Sequence, residues 1–199
     1  MITADQAREF CAHMARAHKA TVIRKEAAIE MQMLATGFDI AKRFGAQLPD
    51  RQDFLERYAT TIGGWIYMPS SFSPAVQLEV MTHECQHVNQ FYRGGLGLPG
   101  GPGMWWLYLV EPEARARYEA EALTAGFEVM FACTKQLPDL DAVVAPMEGG
   151  YMLGPDHLAL IRGLLETNMT SIVAGTPVTE AAANAIGWLR GNAPELLAP

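Results

Sequence analysis

Apolar positions along this chain recur mostly at three- and four-residue steps, which predicts a largely helical protein. Leu78, Met81, Cys85, Val88 and Tyr92 form one such stripe. Ser73 can cap its start, with Pro74 at the first helical position. Arg93 and Gly94-Gly95 follow as a last-turn cation and a stop. The pattern predicts a helix over about 74–93. Residues 3–46 read as two further helices. Thr3 or Asp5 caps the first, which carries Ala7, Phe10, Met14 and Ala17 on one side; the second runs over about 21–44, holds Ile29, Met33, Phe38 and Ile40, and ends at Gly45. Another opens at Glu111-Pro112-Glu113 and continues to about Lys135. Two more are expected over about 156–174 and 177–190, each with a proline at its first position.

One stretch breaks the helical period. Trp65-Ile66-Tyr67-Met68 is aromatic and β-branched, bounded by Gly63-Gly64 and Pro69. It reads as a strand, and Pro69 points to a sheet edge or a strand end. Segment 47–60 is ambiguous, and residues 136–155 are rich in turn formers. The expected fold class is α+β, predominantly helical, with a small antiparallel or mixed sheet of three or four strands at most. The 199 residues suit one domain.

The helix over 74–93 carries His83-Glu84-Cys85-Gln86-His87, an H-E-x-x-H run. Residues four apart share a helix face, so both imidazoles can point at one metal ion. Glu84, one residue after the first histidine, can then act on a water without being a ligand. Two neutral imidazoles that hold Zn²⁺ and a carboxylate that takes a proton make up the zinc-hydrolase division of labour. Cys85 lies on the apolar stripe and reads as core.

A strand followed by an H-E-x-x-H helix resembles the zincin layout. Residues from about 60 to 130 look like a minimal metallopeptidase of the gluzincin type, and the chain is similar to small phage and bacterial zincin-like proteins. The resemblance implies a zincin-like fold, Zn²⁺ as cofactor and a peptide or protein substrate bound along an edge strand. It also implies a third ligand, a glutamate on a later helix. By this reading 1–50 are N-terminal helices, 60–135 the metal-binding core and 136–199 a helical C-terminal subdomain that closes the cleft. A silent zincin-like protein that binds peptide or serves in a larger assembly, a virion included, is the alternative.

Two carboxylates compete for the third position. Glu119 shares a face with Ala122, Leu123 and Gly126, a small and apolar surface suited to close packing. Glu121 shares a face with Arg117, Thr124 and Glu128, which reads as solvated. Glu119 is therefore favoured, with surface ion pairs to Arg115 and Arg117 as the competing reading of both. Gluzincins often carry E-x-x-A-D or E-x-x-x-D on this helix. Here Leu123 stands where the family often has the aspartate that orients a metal-bound histidine.

Composition narrows the remaining classes. Half the residues are hydrophobic, ample for a core, and the net charge of −7 with scattered Lys and Arg argues against a nucleic-acid surface. Three cysteines, Cys11, Cys85 and Cys133, have no metal spacing and read as reduced. Neither a signal peptide nor a membrane span is expected, so the expected location is cytoplasmic. The Gly-Pro stretch 94–103 reads as a connector, with a lid as the alternative. Residues 105–110 read as packing rather than pocket wall. His13 and His18 are five apart and read as surface histidines. Tyr151 and His157 are available as oxyanion donors, but their local pattern favours capping or packing.

Overall fold

A capping box opens the chain. Thr3 Oγ1 accepts from the Gln6 amide at 3.2 Å, and Gln6 Oε1 accepts from the Thr3 amide at 3.0 Å. Helix α1 (Ala4–Ala17) follows and buries Ala7, Phe10 and Met14. The computed structural model describes residues 2–43, 50–94, 100–151 and 153–198. The end expected for the second helix at Gly45 lies outside them.

The start of that helix differs from expectation. Thr21–Arg24 is strand β1, Lys25–Ala27 is a single 3₁₀ turn, and α2 spans Ile29–Arg43. Thr21, Val22 and Ile23 are β-branched, and a distant strand pairs with them, so pairing overrides the helical period. Helix α3 (Arg51–Arg57) fills the ambiguous stretch, and β2 (Thr60–Ile62) and β3 (Trp65–Met68) follow. Gly63, at φ +61°, opens the two-residue turn between them, a conformation that favours glycine.

The strand order is β1–β3–β2. β1 runs parallel to β3, with Thr21 opposite Trp65. β2 runs antiparallel to it, with Thr60 opposite Tyr67. The expectation of β3 as an edge strand is thus corrected. Its backbone is paired on both sides, Ile66 and Tyr67 are buried, and Pro69 ends the strand instead. Among the described residues β1 and β2 are the outer strands.

Helix α4 (Pro74–Arg93) starts where its cap predicts, with Ser73 Oγ accepting from the Val76 amide. Its stripe is buried except for Tyr92, and Thr82, Gln86, Asn89 and Gln90 are buried as well. Helix α5 (Pro102–Val110) leads into α6 (Pro112–Thr134), which is buried on nearly all sides between Ala114 and Val129. A Cβ on Gly126 would stand 3.1 Å from Glu79 Cγ, so glycine lets α4 and α6 approach closely.

Short helices α7 (Leu140–Val144) and α8 (Met147–Gly150) occupy the turn-rich stretch, and α9 (Pro155–Val173) and α10 (Glu180–Asn192) follow. Pro155 opens α9 as expected. Pro177 does not open α10, whose cap is Thr179. Phe10, Met81, Cys85, Val88, Val129, Trp188 and others join α1, α4, α6 and α10 in one core cluster. A second cluster, including Phe127, Leu153, Ile161 and Leu165, lies between α6 and α7–α9. The three cysteines are unpaired. No helix among the described residues is long and apolar enough to cross a membrane.

Lys25 is fully buried. Its ammonium donates to the Tyr58 carbonyl at 2.8 Å and to Thr60 Oγ1 at 2.7 Å, and lies 3.5 Å from the Phe54 ring centre. Burial pulls its pKa down to about 7, against the opposing charge of Glu84. Above that value the folded protein sheds a proton that the unfolded chain keeps up to the ordinary lysine pKa, ~10.4. Stability is therefore expected to rise between about pH 7 and 10 on this account. Urea unfolding at pH 7 and pH 9.5 checks it: Lys25→Met should flatten the rise.

Candidate metal centre and active site

The packing of α4 against α6 brings His83, His87 and Glu119 together, with one donor atom from each within 4.8 Å of the others. His83 Nε2 and His87 Nε2 are 3.1 Å apart. Glu119 Oε1 lies 3.4 Å from His87 Nε2, and Oε2 lies 3.8 Å from His83 Nε2. Glu119 is 1% exposed, and its Oε2 accepts no hydrogen bond. Such a buried, unsatisfied carboxylate oxygen is costly unless a cation satisfies it. The four-residue step puts both imidazoles on one face of α4, and the small residues around Glu119 let its helix come close, as the sequence suggests.

The electrostatics are those of a tightly coupled group. Burial disfavours the His87 cation, but Glu119, together with the Glu84 charge and the hydrogen bond to Gln90, outweighs it and pushes the pKa up to about 9. Burial and the neighbouring His87 hold His83 below the usual histidine range. Burial would raise Glu119, yet His87 and His83 hold it below the usual carboxylate range. A proton on His87 thus balances the buried carboxylate, in the place where a metal cation could do the same.

Glu84 sits in the same cavity wall and is nearly buried. Thr61 Oγ1, on β2, donates to Glu84 Oε2 at 2.6 Å. This fixes the carboxylate from the strand side, and only the tertiary fold brings the two together. Tyr108 donates to Glu119 Oε1. It belongs to the 105–110 stretch, where the expected packing holds only in part: Leu107 and Tyr108 pack against Met104, Ala114 and Tyr118, but Trp106, Leu109 and Val110 are exposed, and Trp105, Tyr108 and Leu109 wall the cavity. Tyr151 lines it too, and the Glu119 charge and burial push its pKa well up. His157 does not line it. Tyr151 is the only described residue beyond α6 that does, so the C-terminal helices do not close the cleft but pack behind α4 and α6. Residues 95–99 of the 94–103 stretch, weighed as a lid, lie outside the described residues, and Pro102 opens α5.

The cavity holds about 260 Å³, with Phe38, Phe54, Tyr58, Phe91, Trp105 and Leu109 among its apolar walls. Its one cationic side chain apart from the histidines, Arg115, is occupied elsewhere. Its guanidinium donates to the carbonyls of Tyr108, Leu109 and Tyr151 at 2.7, 2.9 and 2.7 Å. Arg115 is buried and forms no surface ion pair with either glutamate; Arg117 pairs with Glu113. Arg115→Ala leaves three carbonyls without that donor, and a loss on the order of 3 kcal/mol is expected. A lower urea midpoint measures it.

Two other expectations are corrected. Glu121 is not on a solvated face: it is half-buried beside buried Thr124 and Glu128, and accepts from Gln86 Nε2 and Gln90 Nε2, each at 3.0 Å. His18 is buried, with Nδ1 2.8 Å from Asn89 Oδ1. Both errors have one cause, because α4 is buried on its polar side as well. Leu123 packs against the second core cluster. Gln90, three residues after His87 on the same helix, has its Oε1 2.8 Å from His87 Nδ1. Its i,i+3 spacing was the signal that could have found it.

No protein-family model matches the chain, and no curated protein and no solved structure matches it either.

Proposed function

We propose that this protein is a zinc-dependent peptidase, with His83, His87 and Glu119 as metal ligands and Glu84 as general base. The observation that carries the reading is the buried triad, with its orphaned Glu119 oxygen, in one cavity with Glu84. A tetrahedral ion held at ~2.0–2.1 Å by each donor needs donor separations of roughly 3.3 Å. The two imidazole nitrogens are 3.1 Å apart, and Glu119 approaches each with a different oxygen, Oε1 at 3.4 Å from His87 Nε2 and Oε2 at 3.8 Å from His83 Nε2. Two imidazoles and one carboxylate are also the donor types that zinc takes in catalytic sites. When bound, the ion supplies Lewis acidity and makes a water acidic enough to lose a proton near neutrality.

The chain's own groups do the rest. Thr61 engages Glu84 Oε2, so Oε1 is the atom that takes a proton from the attacking water and returns it to the leaving amine. Tyr108 steadies Glu119, and Arg115 holds the backbones of Tyr108 and Tyr151 at the cavity wall. β3 is fully paired, so an extended substrate adds to the sheet at β2, whose Thr60 and Thr61 line the cavity. The apolar walls suit an apolar side chain beside the scissile bond. Elemental analysis followed by cleavage of a peptide library tests the reading. About one zinc per chain with zinc-dependent cleavage is expected. Zinc without cleavage would favour the silent, peptide-binding alternative, and no zinc would sink the peptidase reading and leave a binding or structural role.

A further inference from the structure

Leu123 on α6 offers no acceptor to a histidine, but Gln90 on α4 faces His87. His87 turns Nε2 toward Glu119 and His83, so with a metal on that side the ring proton must sit on Nδ1. Nδ1 is 2.8 Å from Gln90 Oε1, and a donor there demands that the amide present its oxygen. Gln90 Nε2 is then turned toward Glu121 Oε2 at 3.0 Å and the Tyr118 carbonyl at 2.9 Å, both acceptors. Glu121 takes a second donor, Gln86 Nε2, on Oε1. Gln86 Oε1 accepts from the Ala181 amide at 3.4 Å and from Asn89 Nδ2 at 3.5 Å, and Asn89 Oδ1 faces His18 Nδ1. Every amide in this chain is oriented by its neighbours, and the carboxylate of Glu121, which only accepts when ionised, fixes the direction.

We infer that Gln90 is a positioning residue for the metal ligand His87, and that Glu121 anchors Gln90, so that a Glu–Gln–His relay replaces the missing aspartate. The inference rests on the zinc reading. It assigns Glu121 a task distinct from ligation: its carboxylate acts on the metal through Gln90 and the imidazole. The relay also turns the amide-rich face of α4 from a burial cost into a satisfied network.

Zinc dissociation constants, measured by competition with a chromophoric chelator, test it. Gln90→Leu is expected to weaken zinc 10- to 100-fold, and Glu121→Gln about tenfold. Gln90→Glu alone sets two carboxylates against each other and should also weaken zinc. Combined with Glu121→Gln it restores an acceptor to His87 and a donor behind it, and should recover part of the affinity, since the Tyr118 carbonyl stays without its donor. A merely structural Gln90 would not yield that recovery, and melting of the zinc-free variants reports any folding loss separately. Equal zinc affinity in the wild type and Gln90→Leu, or no recovery in the exchange, overturns the inference while the metal centre stands. Absence of zinc binding in the wild type overturns both.

Discussion

Glu84→Gln is expected to lower peptide hydrolysis by about 10²- to 10⁴-fold, the usual contribution of a positioned general base. The amide is nearly the same size, and its oxygen, in the place of Oε2, can still accept from Thr61 Oγ1. It cannot take a proton from water. Because Glu84 is outside the group of three donor atoms, zinc content should remain at the wild-type level. Turnover of a cleaved library peptide, measured beside elemental analysis on the same preparation, reads both effects. Undiminished turnover removes Glu84 from the mechanism; joint loss of zinc and turnover makes it a support of the metal site instead.

Glu119→Ala carries the second large effect. It removes the one carboxylate of the triad, and the expected outcome is loss of nearly all bound zinc. It also removes the charge that holds the His87 proton in the ion-free protein. Excess zinc at about 1,000 times its dissociation constant stabilises a single-site protein by ~4 kcal/mol. The melting temperature of the wild type should therefore rise with added zinc and fall with a chelator, while that of Glu119→Ala should respond to neither. Glu121→Ala separates the two acids on α6: it should keep a zinc-dependent melting temperature at weakened affinity, because Glu121 lies behind Gln90. Equal loss of zinc in both variants would instead assign ligation to a shared pair.

Much of the site was legible along the chain because it is local. H-E-x-x-H on a capped, striped helix puts two imidazoles on one face wherever that helix lies. The choice of Glu119 over Glu121 followed from its small neighbours, and the structure sets Glu119, not Glu121, beside both imidazoles. The groups that serve these residues were not legible, because they arrive from elsewhere. Thr61 comes from a strand, Tyr108 from a stretch that reads as packing, and Arg115 clamps a residue 36 positions away.

The errors share a physical origin. Periodicity assigns polar residues to water, yet Gln86, Asn89, Gln90, Glu128 and His18 are all buried, mostly hydrogen-bonded to one another or to the backbone. Thr21–Arg24 reads as helix until β3 pairs with it, and β3 reads as an edge until β1 and β2 take both its sides. The sequence by itself determined the helices with strong caps and the spacing that sets His83 and His87 on one face, since turn geometry and i,i+4 contacts involve no distant partner. Strand order, the burial of the polar face of α4 and the groups that orient Glu84, His87 and Glu119 were decided only by the tertiary structure. Hydrogen bonds between remote segments have no period along the chain, and a buried amide differs from a solvated one only in what packs around it.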